Sequence, residues 1–105
     1  MTLPAHAASP RDGLADATLF RESAYIGGAW VDGRATIAVH NPATGETIGH
    51  VPDLGADETR LAIASASGAF PGWRALPAAR RGQLLDAWHD AIVEHTEDLA
   101  RLLTI

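Results

Sequence analysis

The stretch Leu76–Ile105, LPAARRGQLLDAWHDAIVEHTEDLARLLTI, constrains the rest of the chain more than any other. Leu84, Leu85, Trp88 and Ile92 recur at helical steps, and the register resumes at Leu99, Leu102 and Leu103 beyond the polar run Glu94–Asp98. Such spacing lines one side of a helix with large apolar groups. Thr96, followed by Glu97 and Asp98, reads as a fresh N-cap, so a kink or short break is expected there. The stripe then runs to Leu102, Leu103 and Ile105 with no Gly, Asn or Pro to close the last turn. An apolar end of that kind needs cover. The expectation is the leading part of something longer, with truncation as the simplest account and no complete active site of its own.

At 105 residues the chain holds one domain at most. Its apolar fraction of 47% is ordinary, but much of that is alanine, and the large anchors reduce to Phe20, Tyr25, Trp30, Phe70, Trp73 and Trp88. A chain this short buries only about 60 to 70% of its unfolded surface, which leaves little margin for standing alone. Two missing residue types exclude more. Without cysteine there is no disulfide, thiolate nucleophile or Cys-based zinc site within these residues; without lysine there is no Schiff-base amine and no P-loop cation. The net charge of -5 argues against nucleic acid, whose phosphates need a basic face. No run of eighteen apolar residues offers a membrane span, and the N-terminus has neither a secretory pattern nor a good transit-peptide pattern, so a cytoplasmic protein is the default.

Residues 1–18 form an expected flexible arm, rich in Ala, Pro and small polar groups, in which Asp16 is placed to cap one helical turn over Asp16–Phe20. Residues 19–105 make up the structured part. Tyr25-Ile26 and Trp30-Val31 flank Gly27-Gly28-Ala29 as a tight hairpin. Thr36–Val39 and Thr47–Val51 flank Asn41-Pro42-Ala43-Thr44-Gly45-Glu46 as a second. A helix over Glu58–Ala69, capped by Asp57 and ending near Gly68, Pro71 and Gly72, comes next, with Trp73 as a clasp between helices and Pro77 in the first turn of the following one. Two hairpins followed by two or three amphipathic helices is an α+β order.

Chemical motifs are sparse. His89 with Asp86, and His95 with Glu94 and Asp98, put potential metal ligands on helix faces, but zinc needs three or four converging donors, and polar residues on a wet helix side explain both sets. His40 and His50 flank the second hairpin as a possible facing pair, with plain strand-surface positions the simpler reading. Glu46/Asp53 and Asp57/Glu58 read as turn and cap carboxylates rather than an acid–base pair. Gly27-Gly28 lacks the GxGxxG spacing of a phosphate cradle, and none of Ser9, Ser23, Ser65 and Ser67 sits in a GxSxG elbow.

The segments LFRESAYIGGAWVDG, HNPATGETIGHVP, GADETRLAIASASGAFPGWRAL and ARRGQLLDAWHDAIVEHTEDLARLLT closely resemble the N-terminal region of the NAD(P)-dependent aldehyde dehydrogenase superfamily. Leu19-Phe20-Arg21, Tyr25-Ile26-Gly27-Gly28 and Gly55-Ala56-Asp57-Glu58-Thr59-Arg60 look most like the succinate-semialdehyde dehydrogenases within it. The resemblance runs from about Leu19 to Thr104. It implies the α/β fold of the full-length family, with cofactor-binding, catalytic and oligomerisation regions, NAD or NADP as cofactor, and homodimers or homotetramers. The implied reaction is oxidation of an aldehyde to an acid through a cysteine thiolate, with hydride passing to the nicotinamide. The family's cysteine, glutamate and cofactor loops lie beyond the region matched. The expectation is therefore no catalytic, cofactor-binding or metal-ligating residue between Met1 and Ile105, no bound cofactor, no nucleic-acid or membrane partner, and self-association through Leu99, Leu102, Leu103 and Ile105. Two other readings are a stand-alone, non-catalytic helical interaction module and a small metal-binding domain built on His89 and His95.

Overall fold

The computed structural model describes residues 9–105. Strand β1 (Ala24–Ile26) pairs antiparallel with β2 (Ala29–Val31), and β3 (Thr36–His40) with β4 (Thr47–Pro52), as two separate two-stranded ribbons. Three helices follow: α1 (Ala56–Ala75), α2 (Ala78–Glu94) and α3 (Thr96–Thr104). The two hairpins and the helices after them come in the order the sequence predicts.

Glycine chemistry makes the first turn. Ile26 pairs with Ala29, so the loop is Gly27-Gly28 alone and Ala29 already belongs to the strand. Both glycines have positive φ, 61° and 80°, the requirement of the two-residue turn that matches strand twist. Gly27 has a second reason to lack a side chain, because a Cβ there would lie 3.0 Å from Ser65 Oγ on α1. In the second hairpin Asn41 organises the loop: its Oδ1 accepts from Ala43 N at 2.8 Å, its carbonyl from Gly45 N at 2.7 Å, and its own N–H donates to Glu46 O at 2.8 Å. Register then slips by one residue, since Val39 pairs with Gly49 but His40 with Thr47, leaving Ile48 as the extra residue of a bulge.

Helix α1 departs from the sequence reading at both ends. Gly55, not Asp57, is the N-cap; Glu58 reaches back to accept Gly55 N at 3.0 Å. The helix also continues through Gly68, Pro71 and Gly72 to Ala75. Proline removes only its own N–H from the ladder and idles the Ser67 carbonyl, a cost that the flanking turns carry. Trp73 lies inside the last turn of α1 and remains more than a third exposed, so it does not clasp the helices; α1 and α2 meet at the corner Leu76–Pro77 and do not pack along each other. Pro77 is the N-cap of α2, one position before its first turn. The break near Thr96 is present, with His95 as the junction and Thr96 as first residue of α3, its hydroxyl donating back to Val93 O at 2.7 Å.

Among the described residues no hydrophobic side chain is buried. Leu61, Ile63 and Phe70 on α1, and Leu85, Trp88 and Val93 on α2, are more exposed than covered or nearly so. The radius of gyration is 18.1 Å, against about 13 Å for a compact domain of this length. The accessible surface is 8379 Å², against about 5,600 Å² for a compact 11.0 kDa monomer. These elements form correctly without enclosing a core.

Candidate functional site

One described side chain is buried, and it is charged: Asp98, 7% exposed, in the first turn of α3. Its Oδ1 accepts the Ala15 N–H and its Oδ2 the Asp16 N–H, each at 2.9 Å. Those two backbone donors, Asp16 first and Ala15 second, hold the carboxyl below the usual carboxylate range, with the His95 ring adding a smaller effect. Asp16 in turn caps the 3-10 turn Ala17–Leu19, accepting from both the hydroxyl and the N–H of Thr18, and these bonds lower its own pKa. His95 Nε2 lies 3.7 Å from Asp16 Oδ2. Glu94 and Glu97 rim the same surface.

Each Asp98 oxygen accepts one backbone N–H and His95 Nε2 lies beside Asp16, so the grouping of His95 with Glu94 and Asp98 does not gather around an ion. His89 Nδ1 approaches Asp90, not Asp86, at 3.2 Å on an exposed face. No three His, Asp or Glu side chains converge to hold an ion among the described residues. His50 pairs with Ala38 and His40 with Thr47, so the two rings are not opposite partners. Asp57 accepts from Arg60 at 3.0 Å and Glu58 caps Gly55, which separates that carboxylate pair into two local jobs. Gly27-Gly28 leads into a strand rather than a helix, so a dinucleotide pyrophosphate finds no helix N-terminus there.

Sequence reasoning missed a second carboxylate with a structural role. Glu22 Oε2 accepts the His50 N–H at 2.8 Å on the outer edge of β4. Gly49 admits this approach: a Cβ there would meet Phe20 Cζ at 3.1 Å and Glu22 Oε2 at 3.2 Å. A glycine inside a β-branched strand was the signal available.

The aldehyde dehydrogenase family profile matches residues 30–105. The chain belongs to the aldehyde dehydrogenase family. It is 56% identical over 94 residues to the glutarate-semialdehyde dehydrogenase of Pseudomonas aeruginosa, an alignment covering 88% of this chain and 20% of that one. It is 49% identical to the NADP(+) succinate-semialdehyde dehydrogenase of Escherichia coli, over 88% of this chain and 20% of that one. The crystal structure of succinate-semialdehyde dehydrogenase from Burkholderia pseudomallei superposes with a TM-score of 0.84 at 44% identity, over 88% of this chain and 20% of that one. The chain thus spans about a fifth of the length of the aldehyde dehydrogenases it matches. Its hairpins and helices are those of the N-terminal part of the aldehyde dehydrogenase fold. Among the described residues no helix is long and apolar enough to cross a membrane.

Proposed function

We propose that these 105 residues are the leading scaffold of a cytoplasmic, NAD(P)-dependent dehydrogenase that oxidises a short dicarboxylic semialdehyde, of the succinate or glutarate type, to the diacid. The observation that carries the reading is the exposed apolar surface of α1 and α2, with Leu61, Phe70, Leu85 and Trp88 all uncovered in elements otherwise well formed. Helices with such faces are built to lie against another layer. The matched enzymes, about five times longer, supply a partner of that size. Reacting groups come from outside these residues, because the chain has neither cysteine nor lysine, and its perturbed carboxylates serve local structure, Asp98 on two backbone N–H groups and Asp16 on Thr18.

A chimera tests this directly. The corresponding fifth of the Pseudomonas aeruginosa glutarate-semialdehyde dehydrogenase is replaced by this chain, and NAD and NADP reduction is followed with glutarate and succinate semialdehydes. The expected result is turnover by the chimera and none by the 105 residues alone. A soluble but inactive chimera, or turnover by the isolated chain, would overturn the reading.

A further inference from the structure

We propose that Leu14–Glu22 is a splint that fixes the second hairpin relative to α3, fastened at one end by Asp98 and at the other by Glu22. The two bodies it joins make little contact of their own. At the helix end, one buried carboxylate takes two consecutive backbone N–H groups, those of Ala15 and Asp16, at 2.9 Å each. This bidentate grip fixes direction as well as position. At the hairpin end, Glu22 takes the His50 N–H at 2.8 Å, and Phe20 rests over Gly49, the one place on β4 without a side chain in the way. Between the grips the segment is stiffened by the Asp16-capped turn Ala17–Leu19. Arg11 braces the segment from outside, donating to Ala17 O at 3.4 Å, standing over the Phe20 ring at 5.2 Å and lying 3.8 Å from Glu22 Oε1, while His95 lies 3.7 Å from Asp16. An open cleft lies at the start of the splint, lined by residues of the segment Ser9–Leu14 together with Asn41, Ile48, Arg101 and Ile105.

The cysteine-free sequence makes the test clean, since two introduced cysteines are the only thiols. Spin labels at Thr44→Cys in the hairpin loop and Leu103→Cys, 87% exposed on α3, report the separation of the two bodies by pulsed electron resonance in the 105-residue chain. The expected result is one narrow distance distribution, lost in both Asp98→Asn and Glu22→Ala. Exchange protection of the Ala15 and Asp16 amides should also fall about tenfold in Asp98→Asn, with the Leu99 amide unchanged. Asp16→Asn keeps both backbone donors and a capping oxygen, and should keep the narrow distribution. A broad distribution in the unmodified sequence, a narrow one in Asp98→Asn, or equal broadening in Asp16→Asn would each overturn the splint.

Discussion

Asp98 shows how far one side chain can depart from what its neighbours in the sequence announce. Its position after Thr96 marks it as a first-turn acid, and that much was readable from spacing; its partners lie 82 and 83 residues away, which no local pattern encodes. The pH dependence follows from the direction of its shift. A carboxyl held below its ordinary value stabilises the fold in full above the ordinary range, and that contribution is lost as pH falls through the depressed value. The Ala15 and Asp16 amide resonances should therefore carry a carboxylate titration step below the ordinary range, absent in Asp98→Asn and followed by NMR. An Asp98-dependent step at or above the ordinary carboxylate range would show that the carboxyl is not held. Gly27 is a second such residue, with a left-handed φ of 61° and Ser65 Oγ 3.0 Å from where a Cβ would stand. Gly27→Ala should cost about 1 to 2 kcal/mol in urea unfolding of the chimera. Ser65→Ala in the same background should recover only the steric part. The need for glycine here was legible in the Gly-Gly pair; the crowding from α1 was not.

Hairpins and helices were legible because their signals are local. Two glycines, an Asn-Pro-containing loop and an apolar stripe at helical steps each act within a few residues. Helix α1 is the instructive exception, since Gly68, Pro71 and Gly72 read as a terminus yet lie inside it. Breaker residues impose costs, and a cost ends a helix only when continuing brings no return. Phe70 and Trp73 continue the apolar side of α1 through the breakers, and under the proposed scaffold role a surface laid against them would be that return. Pro71→Ala should restore the missing bond to the Ser67 carbonyl and stabilise α1 by about 1 to 3 kcal/mol, seen as higher helicity of the isolated chain by circular dichroism. Glu58→Ala should act in the opposite direction by about 0.5 to 1 kcal/mol, because the Gly55 N–H loses its acceptor.

An exposed apolar side chain has opposite consequences in a free chain and in a complete enzyme. Trp88 is 66% exposed on α2. Trp88→Ser should reduce self-association of the isolated chain in sedimentation, since it removes part of an exposed patch. In the chimera the same change should cost about 3 kcal/mol or more of stability, because the ring would be covered there. An unchanged stability of the chimera, or an unchanged self-association of the isolated chain, would contradict the scaffold reading. The grips on residues 15 and 16 also carry a kinetic consequence. Each hairpin and helix closes over short stretches of chain, in microseconds, whereas Asp98 meets Ala15 only after a loop of more than eighty residues has been drawn together. Weakening it is expected to hasten unfolding and leave the refolding arm of a chevron plot where it was, the mark of a contact made after the rate-limiting step; a slowed refolding arm would place it in that step instead.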